Sequence, residues 1–191
     1  AALPAALARE GVETRTLGAG SVVRPRSSAV RYISDGLGQV RLMTVVGREA
    51  SGQLRGSETH LYRDANNLEW RALGTNDFED TGIDPLAVDP SVNAAYVLKR
   101  LDGREALYRI ALDGSLKTEL VVANPDVDIA GVVTIGRGGR VIGATYVTDR
   151  AQVEYFDQNY RQIAVSLARA LPKLPLIYFV SASADEQTLL V

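Results

Sequence analysis

ALYRI, residues Ala106–Ile110, has an echo on either side of it. Its Leu107-Tyr108-Arg109 repeats the Leu61-Tyr62-Arg63 of HLYRD (His60–Asp64), and the same step of 46 residues leads on to Val153-Glu154-Tyr155 in VEYFD (Val153–Asp157). Each is a short apolar and aromatic run of strand character, and recurrence at a fixed interval marks a repeat architecture. The strands just upstream keep the step. They are AAYVL (Ala94–Leu98), RVIGATY (Arg140–Tyr146) and TLLV (Thr188–Val191), introduced by the polar turns VDPSVN, GRGGR and SADEQ. A third set, LEWRAL (Leu68–Leu73) and LKTELVV (Leu116–Val122), follows the hairpin-type turns DANN and LDGS.

Each unit therefore reads as about four short strands joined by tight turns, the pattern of a β-propeller blade. The expected fold is all-β: a partial propeller of about four four-stranded blades. The blades are placed at approximately 30–75, 82–123, 129–175 and 176–191, the last incomplete. Thr188–Val191 falls in register with the opening of a further blade, so the reading includes a truncated array with exposed strand edges. Such edges predict self-association.

One segment breaks the strand pattern. In FDQNYRQIAVSLARALPKLP, Tyr160, Ile163, Ala164, Leu167, Ala168 and Leu171 fall at helical spacing, with Arg161, Gln162, Ser166 and Arg169 on the other side. This predicts an amphipathic helix over 158–171, with Asn159 and Gln162 as a capping pair and Pro172 as the stop. It would cover a sheet edge or form the wall of an entrance or interface.

Composition bounds what such a chain does. Hydrophobic residues make up 46% and charged residues 23% of the 191, enough of both for a soluble globular core and surface. A formal net charge of -2 with mixed signs gives no electrostatic reason for nucleic acid or an anionic membrane as partner. No stretch reaches the roughly 20 apolar residues of a membrane span, and AALPAALARE at the start lacks a basic leader region. Zero cysteines exclude thiolate metal sites and a cysteine nucleophile, and suit cytoplasm and periplasm equally.

Chemistry-bearing motifs are nearly absent. The nearest approach to a serine nucleophile elbow, GAGSVV (Gly18–Val23), lacks the second glycine in place and reads as a turn. His60, the lone histidine, has no recognisable nucleophile or carboxylate arranged about it and reads as a structural or surface residue. Asp77, Glu79, Asp80 and Asp84 in NDFEDTGID offer oxygens to a hard cation, yet match no EF-hand spacing and read as a solvated connection. IGRGGRVIG (Ile135–Gly143) fits neither phosphate-loop pattern and reads as a hairpin turn. Tyr62, Tyr96, Tyr108, Tyr146 and Tyr155 read as packing between blades. No catalytic, cofactor-binding or metal-ligating residue is assigned.

Taken together, three stretches resemble the non-catalytic propeller of prolyl oligopeptidase-like serine peptidases. They are DPLAVDPSVNAAYVL (Asp84–Leu98), REALYRIALDGSLKTELVVANPDVDIAGVV (Arg104–Val133) and GRVIGATYVTDRAQVEYFDQNYRQIAVSLARALPKLPLIYFVSASADEQTLLV (Gly139–Val191). The most specific part is the DRAQVEYFD strand followed by a helix and a new strand. The resemblance implies a C-terminal α/β-hydrolase domain elsewhere in the parent chain as partner and peptides as substrates. It also implies that the propeller covers the active site and filters access. The paired helix glutamates of the dipeptidyl branch have no counterpart in Gln158 to Leu171. A free-standing propeller scaffold for protein partners is the alternative, and a propeller that binds a metal or small ligand at its own axis is a weaker third reading.

Overall fold

The computed structural model describes residues 26–48, 51, 53–65, 69–77, 81–173 and 176–191. Thirteen strands and one helix fall in these segments. The first sheet is β1 (Ala29–Ser34), β2 (Val40–Arg48), β3 (Leu54–Tyr62) and β4 (Arg71–Asp77), hydrogen-bonded in that order. The second is β5 (Asp84–Asp89), β6 (Ala94–Leu101), β7 (Arg104–Ala111) and β8 (Thr118–Val122), again in chain order. A third sheet has β9 (Ile129–Ile135), β10 (Arg140–Val147) and β11 (Ala151–Tyr155), and a fourth pairs β12 (Ser181–Ala182) with β13 (Leu189–Leu190). Every pairing is antiparallel.

The 46-residue step is visible in this topology. Leu61-Tyr62, Leu107-Tyr108 and Val153-Tyr155 occupy the third strands β3, β7 and β11, and AAYVL and RVIGATY occupy the second strands β6 and β10. Departures come late in the chain. The fourth sheet has two strands, with β13 confined to Leu189–Leu190 of the expected TLLV, and the third has three. After β11 the chain turns into the helix α1 (Gln158–Ala170).

Stacking of the sheets follows from the alternation of side chains along a strand. On β6, Ala95 and Val97 join Leu42, Tyr62 and Leu73 of the first sheet in one core. Tyr96 faces the opposite way, with Ile129, Val141 and Ala144 of the third sheet. The second sheet is thus covered on both faces, which is why Ala94–Val97 is apolar without interruption. A third core holds Val133, Ile135 and Ile142 against Tyr160 of α1 and Phe179. Tyr155 and Tyr160 meet Phe179 edge-on, at ring-centre distances of 5.2 and 4.9 Å.

The helix is capped differently from the sequence reading. Asp157, in extended conformation, accepts the Tyr160 N–H on its side chain, so it displaces Asn159 and Gln162 from the capping role. The Leu171 N–H closes on the Leu167 carbonyl ahead of Pro172. Between β6 and β7, Asp102 and Gly103 form a two-residue hairpin with φ of 53° and 85°, the type I′ geometry that an Asp-Gly pair favours.

Gly36, at φ 70°, sits between the first and third sheets, and a Cβ there would lie 2.0 Å from the Arg137 carbonyl oxygen. Gly103 shares the positive φ but has open space around it. Gly36→Ala is expected to cost at least about 2 kcal/mol of unfolding free energy in urea titration, and Gly103→Ala about 1 kcal/mol.

Candidate functional site

The turns inside the first hairpin of each sheet converge at one end of the molecule. They frame an open cavity of about 400 Å³ whose lining includes Leu37, Pro90, Arg137, Arg140, Ala184 and Glu186. Each of the four sheets contributes, because successive first strands lie side by side and end together.

Arg140, the first residue of β10, is the node of this end. Its Nε and Nη2 donate to Glu186 Oε1 and Oε2 at 3.0 and 2.6 Å, a two-pronged contact with the fourth sheet. Nη1 donates to Asp157 Oδ2 at 2.6 Å, and the guanidinium lies 5.6 Å from the Tyr160 ring centre. The Tyr160 hydroxyl donates to Glu186 Oε2 at 3.0 Å. Hydrogen bonding to Glu186 raises the Arg140 pKa further, and the reciprocal bond from Arg140 lowers that of Glu186. Burial opposes ionisation of Asp157, yet bonds from Arg140 and the Tyr160 N–H hold it below the usual carboxylate value. Burial, then the bond to Glu186, pushes the Tyr160 phenol up to about 12. The cluster thus pairs the Arg140 cation with two carboxylates, and the Tyr160 phenol stays neutral and donates to one of them.

Related ties join the earlier sheets. Arg41 on β2 is buried, donating Nε to the Arg63 carbonyl at 2.8 Å and Nη2 to Asn93 Oδ1 at 2.6 Å in the second sheet's first turn. The buried Asp89 accepts the Val141 N–H of the third sheet on Oδ2 at 2.9 Å. Its Oδ1 accepts the Ser91 N–H and hydroxyl at 2.9 and 2.6 Å. Arg63, also buried, stacks on Trp70 at 4.1 Å.

Residues singled out by sequence reasoning are dispersed. His60 is 1% exposed on β3, with Nδ1 at 3.0 Å from Thr44 Oγ1 and Nε2 without a hydrogen bond of good geometry. Burial lowers its pKa, opposed by Glu58, Asp84 and the Ile83 backbone. Asp77 accepts the Thr81 N–H and hydroxyl at 3.2 and 2.8 Å, whereas Asp84 pairs with Arg31 at 2.8 Å. Glu79, Asp80 and Gly18–Val23 lie outside the described residues. Among the described residues, no group of three or more His, Asp or Glu gathers to hold a metal.

Ile135–Gly143 spans the β9–β10 hairpin. Tyr62 and Tyr108 pack in the first core, Tyr96 and Tyr146 in the second and Tyr155 in the third. Sequence reasoning passed over Arg41, Arg140, Asp157 and Glu186. The available signal was an arginine at the start of the second strand in both the first and third units.

A second opening, of about 450 Å³, runs between β11 and α1. Its walls include Gln152, Val153 and Glu154 on the strand and Ala164, Val165 and Ala168 on the helix. No helix among the described residues is long and apolar enough to cross a membrane. In comparisons with family models, curated proteins and solved structures, nothing matches this chain.

Replacing Arg140 by Leu strands Glu186 and Asp157, and is expected to cost about 2 kcal/mol in urea titration, given the partial exposure of the cluster. Removing Glu186 as well should recover part of that loss, a coupling read from the double-mutant cycle. For His60 the folded pKa lies below the unfolded value, so the unfolded chain binds the extra proton as pH falls. Stability is therefore expected to decline on acidification below about 6.5, and His60→Gln should flatten that limb of the urea midpoint against pH.

Proposed function

We propose that this chain is propeller material from a prolyl oligopeptidase-like serine peptidase, in which it covers the active site and restricts access to peptides. The observation that carries the reading is the run of antiparallel meander sheets, stacked face to face in chain order with their first strands adjacent. That arrangement is the one a propeller requires. The succession of β11, α1 and β12 supports it, since the resemblance at VEYFD rests on a strand, a helix and then a new strand. The chemistry at the turn end fits the same role. Its ion network fixes the relative position of sheets around an opening.

Catalysis in this reading belongs to a hydrolase domain of the parent protein. A serine-directed fluorophosphonate applied to the full-length gene product is expected to label one serine outside residues 1–191. The 191-residue chain alone should remain unlabelled. A full-length product without a reactive serine overturns the peptidase reading and leaves the protein-binding scaffold, a role open to this fold because function is carried by sites and not by architecture.

A further inference from the structure

Among the described residues the third sheet has three strands where the first two have four, and its outer strand β11 has no strand paired to its far edge. The Phe156 N–H donates to the Ile142 carbonyl at 3.1 Å, which makes Gly143 and Tyr155 a non-hydrogen-bonded pair in the β10–β11 register. Alternation along the ladder then turns the N–H and C=O groups of Ala151, Val153 and Tyr155 away from β10. The Tyr155 carbonyl accepts Arg161 Nε at 2.6 Å, whereas the outward groups of Val153 have no partner among the described residues. The groove between β11 and α1 lies beside these groups.

We propose that this edge pairs with the same edge of a second copy of the chain, about a two-fold axis at Val153. The strand Ala151-Gln152-Val153-Glu154-Tyr155 is complementary to itself in that antiparallel register. Val153 faces Val153 of the second copy as a hydrogen-bonded pair, each donating its N–H to the other's carbonyl. Ala151 faces Tyr155 of the second copy, whose carbonyl has a second lone pair and so keeps its bond to Arg161. Gln152 faces Glu154 of the second copy in the closer, non-hydrogen-bonded spacing, where the amide donates to the carboxylate. No like charges oppose one another along the strand. Opposed residues of an antiparallel pair share a face, so both α1 helices lie on the same side of the joined sheet. Their small apolar wall residues Ala164, Val165 and Ala168 then border the axis. The contact is isologous and closes on itself, leaving β11 no free edge.

Sedimentation velocity of the 191-residue chain over a wide concentration range tests this. A reversible dimer is expected. Gln152→Glu sets carboxylates against each other twice and should weaken the dimer about tenfold. The exchange Gln152→Glu with Glu154→Gln restores the opposed amide and carboxylate and should restore the dimer. Val153→Pro deletes an N–H that faces away from β10, so it should abolish the dimer while the circular dichroism of the fold is retained. A chain that stays monomeric throughout overturns the proposal. So does a dimer that Gln152→Glu and Val153→Pro leave unchanged, since another surface would then be responsible.

Discussion

The second sheet has no face to give to water. Ala95, Val97 and Ile110 point one way and Tyr96 and Leu107 the other, all of them buried, so this sheet is stable only between two neighbours. The rest of the structure follows from that constraint. The first sheet supplies Leu42, Tyr62 and Leu73 to one side, and the third supplies Ile129, Val141 and Ala144 to the other. The third sheet inherits the same problem on its far face, where Ile142 and Tyr155 need Tyr160 of the helix and Phe179 to cover them. Burial of this kind fixes which sheets adjoin. It does not fix how far they slide or turn over each other, because apolar contact is non-directional.

Directional contacts at the turn end supply what burial lacks. Arg41 to Asn93, Asp89 to the Val141 N–H and Arg140 to Glu186 each tie one sheet to the next. The partners are 52, 52 and 46 residues apart, about one repeat in each case. Asn93 and Glu186 both adopt positive φ, 46° and 55°, at the tip of the turn that receives the arginine. The tie is therefore made to a backbone conformation as well as to a side chain. Asp89 differs in accepting a main-chain N–H at the start of β10, so that register there does not depend on a long flexible side chain.

This division of labour explains what could be read in the sequence. Strands β3, β6, β7 and β10 were legible because apolar runs bounded by Gly, Asp and Asn turns have a local cause. The helix was legible from the spacing of Tyr160, Ile163, Ala164 and Leu167, and three of these four face the third core only in part. Its cap was misread although Asp157, a favoured cap residue three positions before Tyr160, is a local signal; only its second contact, to Arg140, has no local signature. The inter-sheet ties escaped a strand-by-strand reading for the same reason, although comparing units at the repeat step places Arg140 one unit from Glu186. Burial of His60 was likewise hidden, since its partner Thr44 is on the neighbouring strand, 16 residues away in sequence.

The meander topology bears on how such a chain assembles. Within the first two sheets every strand pairs with the next in sequence, so each unit closes over short loops whose entropic cost is small. The main strand contacts between sheets join successive units, although the Gly36 turn also meets Arg137 two units on, so the array is close to one-dimensional, with stability built largely from units and the interfaces between them. A chain of this design can acquire structure in the order in which it leaves the ribosome. Each completed sheet would offer its exposed apolar face as the template on which the next one settles.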